Sequence, residues 1–369
     1  MTTAPATDRN TVIDGWRGIS VLMVIAGHMF NFRLKGAMPF NGLDAFGLPF
    51  GSKIQTILAS LGTLGVCFFF MISGYLITSL LIAESRDSGR ISLKAFYVRR
   101  IFRIMPAFYA YVFAVYLLGR AGLILVNDEA VIRSSLYLCN FSGFACSWWL
   151  AHSWSLAVEE QFYLLWPMIF AFAPLLHRKI AAVLLLGLFL GSLWFEALGS
   201  FVYIMTGVIF AIEGRLRDSA RGLAPRTIWF AFAFLIALPA IPAAVMPLVK
   251  PAQPFLVAIV LFGTIFGSPH DLCQRFLGIS TLSKIGLISY SLYLWQQLSL
   301  APLSWAGAPT GASNLYRHWD VVLGFAFIPL AVVSYLLIER PLIAAGHRLS
   351  KRIKANAATD VARAERRQG

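Results

Sequence analysis

The chain has 369 residues, 58% of them hydrophobic and only 13% charged, with a mean hydropathy of +0.72 and a formal net charge of +14. Soluble domains carry roughly 25% charged residues, so this composition excludes an ordinary water-soluble fold. Several apolar runs reach the length of about 20 residues that spans a bilayer as a helix, and they are continuously apolar, which excludes the alternating pattern of a membrane β-barrel.

In chain order the runs predict ten spans, at 12–32, 55–83, 104–126, 154–176, 180–196, 201–213, 228–248, 254–268, 285–301 and 320–338. The fold class expected is therefore an all-α, polytopic membrane bundle. A short N-terminal segment (1–11) precedes the membrane domain (12–341), and a basic, Ala-rich tail (342–369) follows it as a surface helix or a disordered segment. The first run lacks a small-residue cleavage site, so it reads as a retained helix rather than a signal peptide. With the N-terminus inside, 24 of the 31 Lys and Arg residues fall on the cytoplasmic side. That bias, rather than nucleic-acid binding, accounts for the positive charge and predicts N-in, C-in topology with an even number of spans.

The four cysteines are Cys67, Cys139, Cys146 and Cys273. Cys139 and Cys146 share an outer loop, where a disulfide is permitted but not fixed by spacing. No CxxC or clustered His/Cys pattern points to a metal site.

The first span reads "DGWRGISVLMVIAGH", Asp14 to His28. Arg17 and His28 are eleven residues apart, so on an α-helix they share a face, about 16 Å apart along the axis. Asp14 is within helical reach of Arg17. His28 is the one histidine within a predicted span. An ionisable group at that depth marks a functional pathway, or else a hydrogen bond between helices.

In "GVCFFFMISGYLI", Gly65 to Ile77, Ser73 and Gly74 interrupt a strongly apolar helix and allow either close helix packing or a kink. In "FYVRRIFRIMP", Arg99, Arg100 and Arg103 can project to one side of a helix at the inner surface. They suit phosphate groups or anionic lipid head groups. In "HSWSLAVEEQFYLLWP", Glu159 and Glu160 lie in the first turns of the fourth span, with Tyr163 three or four residues on. They could serve acid–base chemistry or simply favour a helix N-terminus. "ISYSLYLWQQ" places Tyr290 and Trp295 either in an aromatic belt or at a sugar site. The last span closes on "IERP", where Pro341 is expected to end the helix.

Six motifs in this order resemble membrane-bound acyltransferase family three, the bacterial O-acyltransferases. They are Asp14–Gly18 with His28, Gly65 to Ile77, Phe96 to Pro106, Trp154 to Tyr163, Tyr290 to Trp295, and Ile338 to Pro341. The resemblance covers residues 12 to 341. Three positions depart from it: Trp16 replaces a usual leucine, Ala157 a usual serine, and Gln296 a histidine, which puts more weight on His28.

The resemblance implies transfer of an acyl group, often acetyl, from acyl-CoA to a hydroxyl of a carbohydrate such as O-antigen, exopolysaccharide or peptidoglycan. The enzyme would sit in the bacterial inner membrane with no permanently bound cofactor. Some members carry an extracytoplasmic hydrolase-like domain; after Pro341 only the tail remains here, so the membrane domain is expected to act alone. His28 would be the base or the acyl carrier, oriented by Glu159 or Glu160. Arg17, Arg99, Arg100 and Arg103 would hold the donor, with Asp14 steadying Arg17. Tyr163, Ser73, Trp154, Ser155, Tyr290 and Trp295 would line the substrate or support the oxyanion. The rival class is a proton-coupled transporter or flippase of a glycan, whose membrane His and Glu would relay protons. The repeated halves common in transporters are not visible in the sequence.

Overall fold

The computed structural model describes residues 10–33, 50–141, 146–268, 271–300 and 324–368. Residues 1–9 of the predicted N-terminal segment lie outside the described residues, as do Lys35 and Arg317 of the charge count and the start of the tenth span at 320–323.

The described residues contain no strand. Helix α1 (Thr11–His28) runs on into a π turn over Met29–Arg33. Two long rods follow, α2 (Phe50–Ser88) and α3 (Leu93–Arg120). The short α4 (Asp128–Ser135) and one-turn α5 (Trp148–Ala151) lead into α6 (Ser153–Phe172). Next come α7 (His177–Ser192), α8 (Gly199–Ile212), α9 (Gly214–Arg221), α10 (Pro225–Ala237), one-turn α11 (Met246–Val249) and α12 (Gln253–Phe266). The chain ends through α13 (Leu272–Leu277), α14 (Ser280–Leu287), α15 (Ser289–Leu300), α16 (Phe327–Ser334), a π turn over Tyr335–Glu339 and α17 (Arg340–Gln368).

Among the described residues, four helical stretches are long and apolar enough to cross a membrane: Lys53–Ser88, Leu93–Arg120, Met246–Phe266 and Phe327–Ala357. The pair α8 and α9, bent by 92°, makes a fifth if taken as one span. The molecule is a multi-pass helical membrane protein.

Local chemistry sets the helix ends. Asn10 caps α1 by accepting from the backbone N–H groups of Val12 and Ile13 at 3.1 and 3.3 Å. Ser92 caps α3 through the Ala95 N–H, and the left-handed Gly122 (φ 71°) follows its C-terminus. The helix α3 starts at Leu93, ahead of the predicted span start near 104, and carries the arginine cluster on it as the motif's spacing allowed.

The chain divides into two compact units. One combines residues up to 79 with 178–293; the other combines 80–177 with residues from 294 onward. In the first unit, α1 seats against α13 and α14 by backbone contact. A Cβ on Gly15 would lie 2.1 Å from the Leu277 carbonyl oxygen, one on Gly18 2.5 Å from that of Leu282, and one on Gly286 1.9 Å from that of Asp14. Further along, Gly65 abuts Ser20 and Gly27 abuts Gly62 in the same manner. The Ser73–Gly74 pair does not break its helix: α2 is continuous through it, and Gly74 meets the backbone of Ile204 on α8 while Gly207 meets that of Met71. Small residues permit this approach where lipid gives no hydrophobic drive for helix association.

In the second unit, α3 packs along α17, and Gly346 lies over Phe102. Glu84, at the end of α2, gathers three donors: Ser92 N–H at 3.0 Å, Arg99 at 3.2 Å and Lys354 at 2.8 Å. Arg99 also donates to Ser350 Oγ at 2.6 Å. The predicted tail is therefore helical and docked rather than disordered.

Two further expectations are corrected. The ninth predicted span is not one helix, since α14 ends at Leu287 and α15 begins at Ser289. Pro341 does not end the last span. The π turn widens the backbone just before it, with the Arg340 N–H reaching back five residues to the Tyr335 carbonyl. That widening relieves the clash a proline makes with the preceding turn, so the rod continues through Pro341 into α17.

Candidate active site

The first unit presents the α1 motif. Trp16 is buried, stacks on Phe68 with centroids 4.5 Å apart, and donates its indole N–H to Thr264 Oγ1 at 2.7 Å. It therefore anchors α1 to α12. Arg17 donates to Ser289 Oγ at 3.2 Å, which ties the cationic end of the motif to the start of α15. Asp14 is buried, and its carbonyl faces Gly286. Because α1 is regular from Thr11 to His28, the eleven-residue spacing keeps Arg17 and His28 on one side of the helix. His28 is half-buried at the last helical position, between the Gly27–Gly62 backbone crossing and the π turn. π turns within helices recur at functional positions. Ser73 and Tyr290 also belong to this unit, both half-buried.

The second unit gathers the other candidates. Tyr163 is buried and donates its hydroxyl to Glu159 Oε2 at 3.1 Å, one helical turn back. The Arg100 guanidinium lies over the Tyr163 ring, 4.7 Å from its centroid, and also approaches Phe96. Arg100 is the cation that faces both Glu159 and Glu160. Arg100, Tyr163 and the two carboxylates thus form one electrostatically linked cluster between α3 and α6. Ser155 is buried and bonds back to the His152 carbonyl, while Trp154 is half-buried beside it.

The three arginines do not act as one patch. Arg99 is held by Glu84 and Ser350, and Arg100 turns to the carboxylates. Arg103 and Arg99 join Lys351 as the cations around His347 on α17. The sequence spacing allowed a common face; partners far along the chain separated them.

Several residues that build this unit were not singled out in the sequence (Tyr111, Trp148, Gln297 and Gln161), and they meet others that were, Trp295 and the Cys139–Cys146 pair. Tyr111, fully buried, donates to the Trp149 carbonyl at 2.6 Å and meets His152 and Trp295 edge-on. Gln297 and Trp148 exchange two side chain–backbone hydrogen bonds. Trp295 keeps a buried indole N–H with no hydrogen-bond partner among the described residues. Cys139 and Cys146 form a disulfide, with Cα atoms 5.9 Å apart. Beside it, Gln161 bonds to Asn140 and to the Tyr137 carbonyl. For Gln161 the signal in the sequence was its place directly after the two glutamates.

The chain is thus a helical, multi-pass membrane protein with a glycine-packed first helix that ends in histidine and a half-buried Arg–Tyr–carboxylate cluster. The chain belongs to the acyltransferase family whose model, described as "Acyltransferase domain", matches residues 10–337. Among curated proteins it is similar to the O-acetyltransferase OatA of Staphylococcus aureus strain NCTC 8325 / PS 47. The two are 32% identical over 323 aligned positions, which cover 76% of this chain and 52% of OatA. The OatA of strain COL matches to the same extent. The chain thus spans about half the length of the curated relatives it matches. No solved structure matches it.

Proposed function

We propose that this protein is an O-acyltransferase of the bacterial cytoplasmic membrane, with ten spans and both termini inside. It moves an acetyl group from cytoplasmic acyl-CoA to a hydroxyl of a carbohydrate acceptor such as a cell-surface polysaccharide. The observation that carries this reading is the family match over residues 10–337, joined to the likeness to proteins named O-acetyltransferases. The site residues fit such a reaction. Acyl transfer from a thioester needs a base for the acceptor hydroxyl, donors for the carbonyl oxygen, and cations for the donor phosphates.

In this reading His28 takes the proton of the attacking hydroxyl. Arg17, fixed by Ser289, lies on the same side of α1 and guides the donor. Arg103, one of the cations that act on His347 together with Lys351, meets the phosphates of CoA, while Arg99 holds the tail in place. The pair Glu159 and Glu160 compensates Arg100, and Tyr163 bonds to Glu159.

Radiolabelled acetyl-CoA supplied to membranes tests the function. Label appearing in the polysaccharide fraction supports it, whereas glycan movement without label transfer means a transporter. Within the same assay, Arg103→Ala is expected to raise the KM for acetyl-CoA several-fold with kcat little changed, since it removes ground-state binding only. An unchanged KM would leave this arginine with the lipid head groups.

A further inference from the structure

Tyr137, in the loop between α4 and the disulfide, is held in place at a cost. Its backbone lies in the left-handed region, with φ at 55°, the one such non-glycine residue among those described. A bulky side chain there stores about 1–3 kcal/mol of strain, and such outliers cluster at functional sites. Several contacts hold it. Gln161 Nε2 donates to its carbonyl at 3.2 Å, and the Cys139–Cys146 bridge begins two residues on. Its ring stacks on Phe108 with centroids 4.6 Å apart. The phenol these contacts position is 9% exposed, and its hydroxyl has no hydrogen-bond partner among the described residues. Burial first, then the charges of Glu160 and Tyr109, hold its proton well above the ordinary phenol range, so the group is an O–H donor. An unmatched buried hydroxyl costs about 1–3 kcal/mol; a phenylalanine would keep the stack without that cost.

A second unmatched donor rests on the same stretch of α3. Phe108 and Tyr111 are one turn apart on α3. The first carries Tyr137, and the second meets Trp295, whose indole N–H is also buried and unmatched.

We propose that the Tyr137 hydroxyl donates to the acyl carbonyl oxygen during transfer, with the Trp295 N–H as its companion. The inference rests on the acyl-transfer reading above. The acceptor oxygen attacks the thioester carbon and forms the C–O bond, and the carbonyl pair moves onto oxygen, where the two donors meet the charge. The C–S bond then breaks and the pair returns. The thiolate leaves as CoA, and the proton of the acceptor hydroxyl passes to the base.

The test uses native membranes, radiolabelled acetyl-CoA and label in the polysaccharide fraction, with rates taken per inserted molecule. Tyr137→Phe is expected to lower kcat about 100-fold, as for loss of one oxyanion donor, with the KM for acetyl-CoA unchanged and thermal stability not reduced. Tyr137→His keeps an N–H donor and tolerates a positive φ, so it is expected to retain more turnover than the phenylalanine variant. Parental kcat in Tyr137→Phe, or a histidine variant no better than it, overturns the proposal. A parent that transfers no label overturns the acyl-transfer reading and this inference with it, which is a different result from an active parent indifferent to Tyr137.

Discussion

His28→Ala is expected to insert and fold like the parent and to lose acetyl transfer by about 10²–10⁴-fold, the range for removing a general base. The fold should survive because the backbone crossing of Gly27 against Gly62 secures this end of α1 and is left in place by the substitution. His28 is half-buried at the last helical position, so trimming it to Ala opens no closed core cavity. The measurement is label transfer per inserted molecule, with insertion checked by membrane fractionation and thermal unfolding in detergent. An inserted, stable variant that turns over at the parental rate would remove His28 from the chemistry. A variant that is lost from the membrane would instead make this histidine a structural bond between helices.

The second large effect is expected at Gly74. A methyl group there would lie 1.9 Å from the Ile204 carbonyl oxygen, and the atom it meets is backbone, which cannot swing aside as a side chain can. Gly74→Ala must therefore push α2 from α8. Overpacking a filled interior costs typically 1–3 kcal/mol, and the reciprocal contact of Gly207 on Met71 is strained by the same shift. The expected outcome is a sharp fall in inserted protein and in unfolding temperature. Gly187→Ala on α7 is the control, since a Cβ there meets nothing within 4 Å, and it should be neutral or mildly stabilising. Equal behaviour of the two variants would rule out the close crossing.

Much of this was legible in the sequence, for physical reasons. Continuous apolar runs announce helices in lipid. Helical spacing placed Tyr163 on the same face as Glu159 or Glu160, and its hydroxyl bonds to Glu159. The shared loop of Cys139 and Cys146 allowed the disulfide that forms. What was not legible depended on partners far along the chain. Glycine spacing within α1 cannot say that Gly15 and Gly18 meet Leu277 and Leu282. Arg99, Arg100 and Arg103 looked alike until Glu84, Ser350 and Tyr163 drew them apart. Pro341 looked like a stop because a π turn leaves no simple mark in the residue pattern. Tyr137 escaped notice because the backbone around it, not its residue type, gives it meaning.

The glycines of the first helix carry a consequence for inheritance. Gly15, Gly18 and Gly27 set where backbones cross, whereas the proposed proton chemistry belongs to His28 alone. Scaffold and reactivity are therefore separable in descent. If His28 is the base as proposed, a lineage that kept the crossings but exchanged the histidine would still insert, pack and resemble its relatives while losing most of its transfer. Such a silent copy would be free to take up another duty at the membrane, and the identity of residue 28 would tell the two apart.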